Sequence, residues 1–218
     1  GFYDAGSINS AYQAWMWKRA PSYFDAVTYY TNGSNTLVYH NLGVTPELAI
    51  VKRRDSTGNW FVTIPGNGTL FLNETNAKSS TLRFTSASAT SFVASAGGTY
   101  SHSETNAVWI AYLFASAPGV SKIGTYSGSN SDQTIDCGFS NGARFVLCKA
   151  LDDVQNWVVW DSLRGIVAGN EPYLVLDRSD AQITGQDRID PHSSGFTLTG
   201  NFSGANQAGY NFVFYAIA

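Results

Sequence analysis

The sequence predicts an all-β chain of two related antiparallel β-sandwich units in tandem. Three observations carry this. Of the 218 residues only 13% are charged and 14% are aromatic, while Ser, Thr, Asn and Gly are abundant. That profile suits sheets joined by polar turns better than helices. Short β-like runs recur between turn signals at the roughly eight-to-twelve-residue spacing of sandwiches and barrels. The chain also repeats itself: "NWFVTIPGNG" opens at Asn59 and "NWVVWDSLRG" opens at Asn156.

The elements follow in order from that repeat. Residues 1–20 read as a closing strand or linker from a preceding element. The reason is that "AWMWKRAPSYFD" from Ala14 overlays "AYLFASAPGVSK" from Ala111, placing Pro21 on Pro118 and Trp15 on Tyr112. "SINSAYQAWMWKRA" is the best helix candidate, although the overlay makes its second half strand. No segment holds a helical period beyond about two turns. Residues 21–118 form the first unit and residues 119–218 the second. Each opens with a Tyr-containing strand, a Gly/Ser/Asn turn and a short alternating run, then turns near Gly43 or Gly142. A buried-looking strand follows ("ELAIVKR" or "ARFVLCK"), then a polar turn and the Asn-Trp strand. "RRDSTGNW" is a hairpin signal, its turn ending in Gly. "LFLNETNA" matches "YLVLDRSDA", and "SFVASAG" matches "GFTLTGN". The closing strands "AVWIAYLFA" and "YNFVFYAIA" are apolar on both faces and should be central and covered. The second copy carries a few extra loop residues.

Composition narrows function. The net charge is −3 and the isoelectric point about 5.5. A nucleic-acid binder shows a basic face, whereas the basic cluster Lys52-Arg53-Arg54 reads as a solvated strand end. No signal peptide and no apolar run long enough to cross a bilayer is seen. The first residue is Gly1, so a processed product or a fragment of something longer is expected. Cys137 and Cys148 flank the turn "GFSNGAR". In a tight hairpin they would not face each other, so two free thiols are expected, in keeping with a reducing cytoplasm. Triplets Asn-x-Ser/Thr stand at Asn32, Asn67, Asn73 and Asn201, and an extracellular glycoprotein is the alternative.

The chain resembles a repeat domain of bacteriophage tail and tail-fibre proteins. The resemblance rests on "AWMWKRAPSYFD", "HNLGVTPELAIVKRRDSTGNW", "WIAYLFA", "GVSKIGTYSG", "QTIDCGFSNGARFVL", "WVVWDSLRGIVAGNEPYLVLD" and "IDPHSSGFTL", spread over most of the chain. It implies a virion protein at a tail tip or fibre, assembled in the bacterial host cytoplasm. Its partners would be a host cell-surface polysaccharide or protein and other virion subunits. By analogy with other phage adhesins it implies a homotrimer, and the units would be jelly-roll or lectin-like. It supplies no catalytic residues and implies no cofactor. A purely structural virion component and a polysaccharide depolymerase are the rival readings.

The candidate ligand-binding residues are Trp160, Asp161, Arg164 and Trp157 around the second Asn-Trp pair, together with Trp60 of the first. In an alternating strand Trp157 and Val159 share one face, and Val158 and Trp160 the other. One indole should face the core and the other is open to exposure; Trp160, beside Asp161 and Arg164, is the better specificity candidate because the first copy has Ile64 near its place. An indole face stacks on sugar C–H groups, while a carboxylate and a guanidinium exchange paired hydrogen bonds with hydroxyls. The alternative is that both indoles pack between sheets and Asp161–Arg164 is a turn ion pair. Trp60, matched to Trp157, is expected to be structural. Asp152, Asp153 and the loops "DRSD" and "DRID" raise calcium, but the intervening arginines favour local ion pairs, so no metal is expected. His40, His102 and His192 lie in no hydrolase motif.

Overall fold

The computed structural model describes residues 13–96 and 104–218. Those residues form seventeen β-strands and no helix. The first half contains β1 (Phe24–Asn32), β2 (Thr36–Tyr39), β3 (Leu48–Arg53), β4 (Trp60–Ile64), β5 (Gly68–Phe71), β6 (Phe84–Thr85), β7 (Ser91–Ala94) and β8 (Thr105–Phe114). The second contains β9 (Ser121–Ser127), β10 (Gln133–Asp136), β11 (Phe145–Ala150), β12 (Val158–Asp161), β13 (Glu171–Val175), β14 (Ile183–Gln186), β15 (Ile189–His192), β16 (Gly195–Leu198) and β17 (Asn211–Ile217).

The strands make four sheets, and every strand pairing is antiparallel. The first half has a five-stranded sheet, β1-β8-β3-β4-β5, and a three-stranded sheet, β2-β7-β6. The second has a six-stranded sheet, β9-β17-β11-β12-β13-β14, and a three-stranded sheet, β10-β16-β15. The two halves thus share one strand order, and β14 is the addition at the edge of the second. The closing strands β8 and β17 lie inside their sheets, flanked by β1 and β3 or by β11 and β9.

Side-chain alternation divides each large sheet between two cores. In β8, Trp109, Ala111 and Leu113 face the small sheet of the first half and pack with Phe84 and Phe92. In β17, Phe212, Phe214 and Ala216 do the same in the second half against Phe196 and Leu198. The opposite faces meet each other. Leu48, Val62, Leu70 and Phe114 from the first half form one core with Phe145, Leu147, Val159 and Tyr215 from the second. The layers therefore run small sheet, large sheet, large sheet, small sheet. Close approach within the second half depends on Gly195, where an added Cβ would stand 2.1 Å from the Ile135 carbonyl oxygen.

Polar bonds also cross this seam. The Lys78 amide donates to the Leu151 carbonyl (2.7 Å) and the Gln155 amide to the Thr75 carbonyl (3.1 Å). Lys149 is fully buried and its Nζ donates to the carbonyls of Ala150 (2.9 Å), Thr75 (3.2 Å) and Asp153 (3.4 Å). Burial pushes its ammonium down to about 8, and the ring of carbonyls holds it across the seam.

Residues 13–19 correct one expectation. They form neither helix nor strand, and Ala20 makes only an isolated bridge with Phe24. The segment runs along the seam with Trp15 and Trp17 turned inward. Trp17 sits edge-on to both Phe114 and Phe145, one from each half. It acts as a strap across the two large sheets rather than as a strand of either. The rest of the 1–20 stretch lies outside the described residues. Among the described residues no helix is long and apolar enough to cross a membrane.

Candidate functional site

The two Asn-Trp pairs are built alike. The Trp60 amide donates to Asn73 Oδ1 (2.8 Å), and the Trp60 carbonyl accepts from the Leu72 amide (2.8 Å). In the second half the Trp157 amide donates to Asp177 Oδ1 (2.7 Å), and its carbonyl accepts from the Leu176 amide (3.0 Å). In both copies a short polar side chain after the next strand caps the entry of the Trp strand. The indoles then diverge. Trp157 is 1% exposed and reaches across the seam, its Nε1 donating to the Phe71 carbonyl (2.7 Å). Trp60 is 38% exposed, with the Lys52 ammonium 5.9 Å from its ring.

These positions overturn the sugar-stacking assignment of Trp160 and Trp157. Trp160 has no exposed surface and packs against Tyr173 and Phe202. The alternation reading was sound: Trp157 and Val159 share one face, Val158 and Trp160 the other. Both faces are covered, however, one by the small sheet and one by the other half. Trp60, expected to be structural, is the exposed member of the set. Asp161 and Arg164 form the turn ion pair, buried together. Asp161 Oδ1 accepts from the amides of Leu163 (3.1 Å) and Arg164 (3.0 Å), and Oδ2 accepts from Trp15 Nε1 (2.9 Å). The Arg164 guanidinium lies 5.4 Å from the Trp15 ring centre. Burial lowers its proton affinity, and Asp161 offsets that. This pair anchors the strap and is not free for a ligand.

Several clefts open along the seam. One is apolar, about 610 Å³, walled by the large sheets and the strap, with Trp60 among its lining residues. Another is polar, about 550 Å³, and begins at Asn73, the residue that caps Trp60. Asn73, Glu74 and Asn76 line it from the first half and Asn156, Asp177 and Arg178 from the second. Its first wall is pre-organised. Asn59 Nδ2 donates to Glu74 Oε1 (2.6 Å), Asn76 Nδ2 to Glu74 Oε2 (2.7 Å), and Asn73 Nδ2 to Asn59 Oδ1 (3.0 Å). The exposed amides of Asn73 and Asn76 and the half-buried Glu74 carboxylate thus adjoin the start of the Trp60 strand, whose exposed indole lines the apolar cleft. Sequence reading singled out Asn73 and Asp177 separately, as a triplet and as a calcium candidate. Their meeting depends on how the two halves dock, for which the sequence carries no local signal.

Other candidates resolve into structural roles. Among the described residues no group of three or more His, Cys, Asp or Glu could hold a metal ion. His40 is buried, and its Nδ1 accepts from the Leu42 amide (3.2 Å); burial lowers its proton affinity. His192 Nδ1 is 3.1 Å from Ser194 Oγ within its own turn. His102 lies outside the described residues. Both cysteines are free and buried, and burial pushes each thiol up to about 12, so neither is a ready nucleophile.

The described residues define an all-β chain with clefts along the seam between its two large sheets. A family model described as a domain of unknown function, DUF7483, matches residues 4–218, and the chain belongs to that family. No curated protein and no solved structure matches it.

Proposed function

We propose that this chain is a non-enzymatic module of a bacteriophage virion, at a tail fibre or tail tip, that binds host-surface glycan at the polar cleft beside Trp60. In this reading the halves are two jelly-roll or lectin-like sandwiches in tandem. The observation that carries it is the exposed Trp60 indole next to the Asn59–Asn73–Glu74–Asn76 network. A flat apolar ring beside fixed donors and acceptors matches the two sides of a sugar, its C–H face and its hydroxyl edge. The phage assignment is supported by the sequence resemblance. Such a cleft binds weakly, and display as a homotrimer raises avidity without new contacts.

The test is adsorption of the labelled chain to purified surface polysaccharides of candidate host bacteria. Saturable binding is expected, with Trp60→Ala lowering affinity at least about tenfold at unchanged melting temperature. Binding that ignores Trp60 would sink the site. Release of reducing ends from the polysaccharide would move the chain to the depolymerase reading. Gold-labelled antibody at the distal tail is the expected placement on particles. Label along the shaft or capsid would leave a structural component.

A further inference from the structure

Resting on the glycan-binding reading, we infer that the glycan is an acidic polysaccharide whose chain runs from Trp60 across the open face of the first large sheet to Tyr30 and Arg54. Register builds that face. In β8, Trp109 and Ala111 turn toward the small sheet, so Val108 and Ile110 turn the other way. One row there reads Thr28, Ile110, Lys52 and Trp60 across four strands. The next reads Tyr30, Val108 and Arg54, the Arg54 amide donating to the Val108 carbonyl (2.8 Å). Further along the same face, Leu48, Val62 and Phe114 enter the core shared with the second half. These two rows lie beyond it, with Tyr30 70% and Trp60 38% exposed. Strands stand about 4.8 Å apart and alternate residues about 7 Å along a strand, which sets the two aromatic positions about 16 Å from each other. Rings at both ends of a flat strip suit a chain of sugars, each presenting a C–H face.

The internal repeat shows what such a row takes when it is covered. Lys149 and Trp157 hold the places of Lys52 and Trp60, one step past the Cys148–Val158 pair. There the first half lies over them. Trp157 Nε1 donates to the Phe71 carbonyl (2.7 Å) and Lys149 Nζ to the Thr75 carbonyl (3.2 Å). The pair thus receives oxygen acceptors. Among the described residues Lys52 Nζ has one, the Gly58 carbonyl (2.6 Å), and Trp60 Nε1 has none.

Charge selects further. Within the cluster Lys52-Arg53-Arg54, Arg53 is taken by Asp55 (2.7 Å), whose other oxygen accepts from the Val108 amide (3.1 Å). Among the described residues Lys52 and Arg54 form no ion pair. The Arg54 fork matches a carboxylate through two parallel hydrogen bonds. A nucleic acid fits less well, since it brings a phosphate with every nucleotide to two unpaired cations on a chain of net charge −3. A protein partner needs roughly 800 Å² from each side, and this strip is two rows wide.

The probes are bacterial capsular polysaccharides with a uronic acid in each repeat, each beside its carboxyl-reduced, uncharged form, and oligothymidylate. Titrated into the intact chain, the acidic forms are expected to bind at least about tenfold more tightly than the reduced ones. High salt should erase that advantage. Arg54→Gln should weaken the acidic forms at least about fivefold and leave the reduced forms unchanged. Tyr30→Ala should weaken both at least about threefold. Both residues are exposed, and unchanged melting temperatures establish folding of the variants. Asn76→Ala alters the polar cleft alone. Loss with Asn76→Ala but with neither face variant would keep glycan in that cleft and overturn the acidic track. Equal affinity for acidic and reduced forms, tighter binding of oligothymidylate, or self-association that Tyr30→Ala abolishes would also overturn it. Binding of no polysaccharide at all would remove the glycan reading together with this inference.

Discussion

Trp60 and Trp157 hold matching backbone positions and differ in what lies opposite. Trp157 meets the Phe71 carbonyl across the seam, whereas Trp60 lies at the mouth of a cleft. Trp157→Ala should therefore destabilise by about 3–5 kcal/mol, as for a fully buried large aromatic, and Trp60→Ala by less than about 1 kcal/mol. Urea unfolding of the two variants checks the contrast, and equal losses would refute it. Glu171 gives a second residue-scale expectation. It is fully buried, its Oε1 accepting from the amides of Arg188 (2.6 Å) and Ile189 (3.0 Å), and burial raises its carboxyl to about 7. Its folded affinity for a proton exceeds the unfolded one, so its contribution is fully present below the ordinary value of 4.5 and is lost as pH rises through about 7. Glu171→Gln should remove that slope, which stability curves at pH 4 to 8 would reveal.

At the scale of elements, the β12 strand and the strap explain each other. The sequence of β12 alternates as expected, but each of its faces is apolar because each is covered. The strap shows the opposite: its tryptophans look like a helix or strand pattern, yet the segment takes its shape from docking on the seam. Asp161 connects the two by holding Trp15 and Arg164 at the end of β12. Asp161→Ala would leave a buried guanidinium unpaired and should cost about 3–5 kcal/mol. It should also free Trp15, seen as increased acrylamide quenching of tryptophan emission. Unchanged quenching would show that the strap is held by packing alone.

For the whole molecule, the decisive feature is the core shared by the two halves. Residues of both large sheets form one cluster, so neither half has a complete apolar surface on its own. A single cooperative transition is expected, with circular dichroism and tryptophan fluorescence coinciding and calorimetric and van't Hoff enthalpies equal. Val213→Asp, placed in the seam, should lower the midpoint without splitting the transition. Two separated transitions would mean that the halves fold independently and only touch.

The all-β class, the turns and the internal repeat were all legible from the chain, because alternation, Gly-bearing turns and repeated motifs are local signals. The position of β8 and β17 inside their sheets was legible too, from apolar character on both faces. Which cover each face receives was not. An indole buried under a small sheet, as Trp160 is, and one buried under a second large sheet, as Trp157 is, give the same pattern in sequence. Only the docking of the halves buried Trp157, left Trp60 at a rim, and brought Asn73 and Asp177 to one cleft. That docking joins residues about a hundred positions apart through non-directional apolar contact, which leaves no mark on the local order of the chain.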